Sequence, residues 1–488
     1  MFTLKRILGS FRLPKLFGTE LQLSTEVKYL GVILDNRLNW SSHLDKKIDR
    51  ASVTFWQCRR MIGKRWGLSP KIVLWLYRMV IRPMLCYGAL VWWPRSRLAT
   101  VANKLQKFQR LACLAITGCM RTAPTKALEA MLGLPPLHLY IQQEAAASAI
   151  RLRALRLWRH SATAHTGILA EAFTDCPLLE AINDRIPKQF IFDKRYKIQL
   201  YEDNSYEGLN PRDLRIFTDG SKTKQGTGSG VFSEDLNIRI IKPLGRHNTV
   251  FQAECFAIIL AATAILSKEV KEHSIRILSD SMAVLQALKS NIFSSGLIHE
   301  CHTILTEVCK HNHLTLQWIK GHSGSRGNDG ADELARRGSG QTAVGPEPII
   351  PIPAGKVRSL LRDRTATLHT NYWNECSDCR QAREALPAIN RRLSGALLRL
   401  NKPQLRTVTS AITGHGTFNR HLFNLGVTDS PLCRGCMEAE ETTAHVLLEC
   451  QGVSSYRAKN LGSPGSIPEV LKNVGGLLKF FEEIGWLE

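Results

Sequence analysis

Leu214-Arg215-Ile216-Phe217-Thr218-Asp219-Gly220-Ser221 alternates apolar and polar side chains and closes on an acid followed by glycine. That is the pattern of a half-buried strand that delivers a carboxylate to its end. The period of two continues through Gly226 to Phe232 and Asn237 to Leu244, which predicts a hairpin continuation of the same sheet. Then the period changes. Thr249 to Ser267 carries Phe251, Cys255, Ile258, Ile259, Ala262 and Leu266 at helical spacing, Ser274 to Ser279 reads as a strand, and Met282 to Leu288 as a short helix. His299 to His311 reads as a longer helix, Leu314 to Trp318 as a further strand and Asn328 to Arg337 as a closing helix. Strands alternating with helices predict a mixed α/β domain over residues 213–340.

Four acids fall at element ends within it: Asp219 after the first strand, Glu254 early in the first helix, Asp280 after a central strand and Asp332 in the last helix. Carboxylates aimed at one point repel one another and hold protons unless cations neutralise them. Hard divalent cations take oxygen ligands, and two such ions roughly 3.5–4 Å apart supply the activated water and stabilised leaving oxygen that phosphodiester hydrolysis requires. Each acid alone has a plainer reading. Thr-Asp-Gly-Ser and Ser-Asp-Ser are turn and helix-cap sequences, and Glu254 and Asp332 are by themselves ordinary helix-surface acids. The case rests on the set.

Outward of this domain the chain changes character. It has 488 residues, 65 Lys and Arg against 42 Asp and Glu, a net charge of +23 and 44% hydrophobic residues, which describes several folded domains rather than a disordered or fibrous chain. Residues 1–160 hold 27 basic and 7 acidic residues, whereas 161–488 hold 38 and 35. Between Ala51 and Thr100 there is no carboxylate, so the phosphate backbone of a nucleic acid is the predicted partner, its binding falling steeply with salt, and a membrane surface is the weaker alternative. Residues 26–34 read as one buried strand. Asn39 to Met61, Ser69 to Met84, Ala99 to Thr117 and Leu137 to His160 read as basic helices, with Trp56, Trp66, Trp75, Trp92 and Trp93 facing the core. Asn183 to Arg212 reads as a polar spacer, and the Gly- and Pro-rich 338–354 as an extended linker.

The apolar stretch from Ile72 to Trp93 is interrupted by Arg78, Arg82 and Pro83, so no bilayer span is predicted. Lys5, Arg6, Arg12 and Lys15 precede the first acid, Glu20, as in a transit peptide, but Pro14 and the strand-like run to Leu34 fit folded structure better. With no secretory signal and 13 dispersed cysteines, reduced thiols in cytoplasm or nucleus are expected. Cys433, Cys436, His445 and Cys450 form a C-x2-C-x8-H-x4-C spacing that suits tetrahedral Zn²⁺, either as a purely structural ion or presenting Arg434 to single-stranded RNA. Buried cysteines without an ion are the alternative. Cys376 and Cys379 form a second C-x-x-C without partners at usual spacing and read as metal-free.

Phe217-Thr218-Asp219-Gly220-Ser221, Gln252-Ala253-Glu254 at a helix start, Ser279-Asp280-Ser281, and His322-Ser323-Gly324 with Gly327-Asn328-Asp329-Gly330-Ala331-Asp332-Glu333-Leu334-Ala335 resemble, in order, the motifs of the ribonuclease H family. The resemblance implies a mixed five-stranded sheet with helices on both faces, and an endoribonuclease, a hydrolase of the RNA strand of RNA–DNA hybrids. It implies that Asp219, Glu254, Asp280 and Asp332 hold two Mg²⁺ or Mn²⁺ ions, Asp219 bridging both. His322 would assist proton transfer or product release, and Ser221 and Asn328 would contact the substrate strand. Asp329, where the family more often has Glu, and Gly330 depart from the pattern without altering a ligand. No basic insertion falls between Met282 and Leu314, so grip on the hybrid is expected from the flanking basic region.

The order of parts resembles the C-terminal part of the reverse transcriptase polyproteins of non-LTR retrotransposons, of the jockey and I-factor type. Val27-Lys28-Tyr29-Leu30-Gly31-Val32-Ile33-Leu34-Asp35 looks like the strand after the polymerase palm, and residues 1–182 look like its basic helical thumb. The ribonuclease H domain (213–340), a Pro/Gly linker (341–355) and a mostly helical C-terminal region (356–488) would follow, with a zinc segment at 433–450. Thr413-Gly414-His415-Gly416 looks like the terminal region of the same polyproteins. No two aspartates are adjacent anywhere in the chain, so the polymerase's paired metal-binding acids are absent, and a truncated element or partial gene product whose catalytic part is the nuclease is expected. The alternative is a catalytically inert, nucleic-acid-binding relic of such a polyprotein. A strand transferase of the same superfamily is disfavoured by His322 and the 328–335 helix.

Overall fold

A computed structural model describes residues 2–4, 12–61, 63, 67–158, 167–200, 212–321 and 325–486. The single strand expected over 26–34 is a hairpin of β1 (Glu26–Tyr29) and β2 (Val32–Asp35), with Tyr29 opposite Val32. Leu30 and Gly31 take φ of 46° and 80°, the two-residue turn whose twist matches the flanking strands. Only the glycine marked that turn inside an apolar run. Asp35 closes the hairpin by accepting from the backbone N–H groups of Arg37, Asn39 and Trp40.

The helices α1 (Ser41–Arg59), α2 (Pro70–Leu76, running on through a wider turn at Tyr77–Ile81), α3 (Ala99–Thr117), α4 (Thr125–Leu132) and α5 (Leu137–Ala154) follow. They bury Leu44, Phe55, Leu74, Leu105, Phe108 and Leu128. Trp92 and Trp93 are core residues as expected, but Trp56 and Trp75 are 48% and 56% exposed, and Trp66 lies outside the described residues. Helix α2 shows the reason for Trp75. Beside its buried Val73, Leu74 and Tyr77 it carries a second apolar stripe, Ile72, Trp75 and Met79, that faces outward.

The stretch read as a spacer supplies β3 (Arg185–Phe190) and β4 (Lys197–Gln199). Then come β5 (Leu214–Lys222), β6 (Thr227–Ser233), β7 (Ile238–Gly245), α6 (Val250–Ser267), β8 (Ser274–Ser279), α7 (Met282–Lys289), β9 (Ile292–Ser295), α8 (Gly296–Val308), β10 (His313–Trp318) and α9 (Arg326–Gly340). The mixed sheet runs β4-β10-β8-β5-β6-β7, parallel from β4 to β5 and antiparallel from β5 to β7. It therefore has six strands rather than five, because three residues of the supposed spacer pair with β10. Helices cover both faces: Ser229 of β6 donates to the Ala253 carbonyl of α6, while its neighbours Gly228 and Gly230 lie against the backbone of α9.

Helix α6 is capped reciprocally by Thr249 and Gln252. Among the described residues it is the one helix long and apolar enough to cross a membrane, yet 61% of it is buried, in the core of the α/β unit. The expected linker is also part of this unit. Ile350 and Ile352 are buried, Ile352 bridges to Asn183, and Gln252 Nε2 donates to the Pro351 carbonyl at 2.8 Å. Farther on lie α10 (Ala354–Asn374) and α11 (Lys402–Thr413), the latter capped by Asn401 and Gln404. By internal contacts the chain divides into two units, residues 1–146, 163–168 and 362–488 in one, and 147–162 with 169–361 in the other.

Candidate active site

Strands β5 and β8 are parallel and in register, with Thr218 opposite Ser279. One step further on each lies an aspartate, so Asp219 and Asp280 become neighbours by the geometry of the sheet. Glu254 comes down onto them from the second turn of α6. That approach requires glycine at 220: a Cβ there would lie 2.4 Å from the Glu254 backbone nitrogen. The chain also crowds Asp280, because a Cβ on Gly321 would lie 2.6 Å from its Oδ2, and the Trp318 indole N–H donates to the Asp280 carbonyl at 2.9 Å.

One ligand oxygen from each of Asp219, Glu254 and Asp280 lies within 4.8 Å of the others. Asp219 is 7% exposed and Glu254 6%. Burial first, then the Asp219 and Asp280 carboxylates, push the Glu254 carboxyl up to about 9, against a hydrogen bond from the Gly220 N–H that favours the ionised form. Glu254 Oε2 is buried without a hydrogen-bond partner. A buried oxygen left unpaired among like charges fits a cation better than a proton.

Of the four acids expected here the structure brings three together. Asp332 adds only a small repulsion to Glu254 and instead pairs with Arg336, one turn along α9, at 2.7 Å. Ser221 is half-buried on the same face of β5 as Asp219. Asn328 is 2% exposed, its Oδ1 enclosed without a partner, so this conformation does not offer it to a substrate strand. His322 lies outside the described residues. The sequence does not mark the close backbone approach that requires glycine at 220, although that glycine stands beside Asp219.

The second constellation is local. One donor atom from each of Cys433, Cys436, His445 and Cys450 lies within 4.8 Å of the rest, with Cys433 Sγ 3.6 Å from Cys450 Sγ and Cys436 Sγ 3.3 Å from His445 Nε2. A tetrahedral Zn²⁺ with bonds of about 2.3 Å to sulfur and about 2.0 Å to nitrogen has edges of roughly 3.5–3.8 Å, so the donor set fits the ion. The backbone N–H groups of Glu438 and Ala439 pull the Cys436 thiol down to about 6, while burial pushes Cys450 up to about 12. Arg434 is exposed, with its guanidinium paired to the fully buried Glu441 at 2.7 Å and lying over the Trp486 ring. Cys376 and Cys379 do form a three-donor group with Asp378, but Asp378 is occupied by Lys126 at 2.9 Å.

Residues 211–340 match the RNase H family. With the sheet order and the converging acids, that match defines this part of the chain as a ribonuclease H domain. The chain is 27% identical over 122 residues to the 115 kDa protein of the type-1 retrotransposable element R1DM of Drosophila melanogaster, covering 25% of this chain and 12% of that protein. It is 29% identical over 122 residues to a retrovirus-related Pol polyprotein from the type-1 retrotransposable element R1 of Bradysia coprophila, with the same coverage. A ribonuclease H of Hyphomonas neptunium is 49% identical over 35 residues, 7% of this chain and 23% of that protein. The chain thus spans about an eighth of the length of the first two relatives. Outside the ribonuclease H domain the family of the chain is not fixed by these matches; the domain is similar to the corresponding part of retrotransposable-element polyproteins.

Proposed function

We propose that the chain is an endoribonuclease that hydrolyses the RNA strand of RNA–DNA hybrids at the cluster formed by Asp219, Glu254 and Asp280. The observation that carries this reading is the unpaired Glu254 Oε2 among three carboxylates from three separate elements. Asp219, Glu254, Asp280 and Asp332 would hold Mg²⁺ or Mn²⁺, which supply charge neutralisation and an acidified water when bound. The reaction adds a water oxygen to phosphorus and breaks one P–O bond, the departing oxygen taking a proton. The chain's own part is positional. The β5–β8 register fixes the spacing of the aspartates, Gly220 lets α6 bring Glu254 within reach, and Trp318 holds the Asp280 backbone. The Cys433, Cys436, His445 and Cys450 set would hold Zn²⁺ as a structural ion, and the basic N-terminal region would add affinity for nucleic acid.

The test is cleavage of a labelled RNA–DNA hybrid with Mg²⁺, set beside Asp219→Asn and a duplex DNA control. RNA-strand cutting that is lost in the variant supports the reading. Tight hybrid binding without cutting would replace it with an inert nucleic-acid-binding relic.

A further inference from the structure

The ribbon of β3 and β9 is absent from the sequence expectation and lies outside the acid cluster. It is antiparallel, with Phe293 opposite Gln189 and Ile292 opposite Phe190. Opposed residues share a face and faces alternate along a strand. Phe293 is 1% exposed and turns inward, although Gln189 opposite it is exposed, and Lys188, Phe190 and Ile292 share the other face. There Phe190 is 59% and Ile292 45% exposed, Lys188 is exposed, and Phe192 beyond them is 91% exposed. Neither strand carries a carboxylate, whereas Arg185 and Lys188 lie on β3 and Lys289 in the last turn of α7.

The ribbon is anchored at both ends by groups that could otherwise have met solvent. The Asp184 carboxylate accepts from Ser295 Oγ at 2.6 Å and from the Leu297 N–H at 2.8 Å, capping α8. The Lys194 ammonium donates to the carbonyls of Leu288, Lys289 and Ser290 at 2.8, 2.8 and 2.7 Å, capping α7. Helix α7 starts two residues after Asp280 and ends three residues before β9, so its eight residues set a fixed reach of about 12 Å. That is about three to four phosphate steps along a strand.

We propose that the outward face of the β3–β9 ribbon is a substrate-contact surface that grips the backbone of an RNA–DNA hybrid while the acid cluster cuts it. This rests on the hybrid-nuclease reading and deepens it. Lys188 and Lys289 meet phosphate oxygens, and Phe190 and Ile292 cover sugar faces, contacts that fix register without reading sequence. The domain thus draws part of its grip, Lys188 and Phe190, from residues upstream of the segment that matches the family.

The test uses the full chain, comparing Lys188→Glu combined with Lys289→Glu against Lys268→Glu combined with Lys271→Glu. The control makes the same charge change beyond the far end of α6, about 21 Å along its axis from Glu254. The ribbon variant is expected to raise KM for the hybrid about tenfold, with kcat within about twofold, while the control stays near wild type. In an Asp219→Asn background, which leaves the hybrid uncut, the ribbon variant should lower the slope of log Kd against log salt by about two. Lys188→Arg combined with Lys289→Arg should restore both values. Changes no larger than the control's would overturn the proposal, as would loss of self-association in Phe190→Ser with hybrid binding unchanged, which would make the face a protein contact. If wild type cuts nothing, the nuclease reading fails, but the salt slope on uncut hybrid still decides whether the ribbon grips it.

Discussion

Glu129 in α4 and Glu254 in α6 look alike from a distance. Both are buried carboxyl groups, each has an Oε2 with no hydrogen-bond partner, and burial is the first cause that raises them, to about 8 and about 9. Their surroundings differ in kind. Around Glu129 the Gln109 amide donates to Oε1 at 2.7 Å, the Tyr77 hydroxyl donates to Gln109 in turn, and the nearby charge is Lys126. Around Glu254 the nearby charges are Asp219, Asp280 and Asp332. A carboxyl raised by burial alone is a core group that keeps its proton. One raised also by other carboxylates is a place for a cation, so the charged neighbours, and not the shift, separate core from site.

The sharpest break between the two is cleavage. Asp219→Asn should lower hybrid cutting at least about a thousandfold, whereas Glu129→Gln should stay within about twofold; comparable losses would mean that the two glutamates are not different in kind. The cysteine set gives the next effect. On the proposed zinc reading, stripping Zn²⁺ should remove on the order of 10 kcal/mol from a local segment, so hydrogen exchange should show Cys433 to Cys450 unprotected while β5 and β8 stay protected. Joint loss of protection would argue that the α/β unit leans on the zinc segment. Smaller again, saturating Mg²⁺ should stabilise the protein by about 1–3 kcal/mol, read as a rise of a few degrees in the α/β transition. Asp280→Asn should abolish that rise and Glu129→Gln should leave it intact.

The sequence displayed the α/β domain because its elements are short, strongly periodic and closed by marked residues: Asp219 before Gly220, the Thr249 cap, and Asp280 between serines. It displayed the acid set because strand register turns two spaced aspartates into neighbours. What it hid is what pairing alone decides. Lys197–Gln199 is too short to show a period and becomes a strand only through β10. Arg185–Phe190 reads as polar spacer because one of its faces is exposed, and the Leu30-Gly31 turn is masked by apolar flanks. Asp332 could be placed near the site by its motif, but the structure turns it toward Arg336, one turn along the same helix, and leaves it outside the three-acid group. Trp75 had the spacing of a core residue, and only the packed helix shows which of two stripes turns inward.

The smallest predicted effect tests the comparison from the side of Glu129. Its carboxyl titrates at about 8 in the folded chain against an ordinary 4.5, so between those values the folded state holds a proton that the unfolded state has released. The stabilisation is therefore complete below the unfolded value, falls as pH rises through the window, and is gone above about 8. One proton sets a ceiling of about 1.4 kcal/mol per pH unit, and relaxation around the group should hold the loss to about 1–2 kcal/mol between pH 5 and 8. Glu254 would act with the same sign in the absence of Mg²⁺, so the measurement is the difference between wild type and Glu129→Gln in denaturant melts at saturating Mg²⁺. Glu129→Gln keeps an uncharged group facing Gln109 and should flatten that part of the slope, gaining stability relative to wild type at pH 8 more than at pH 5. Parallel pH profiles would show that Glu129 is ionised at neutral pH, and the carboxyl in the helical core would then need a cation of its own.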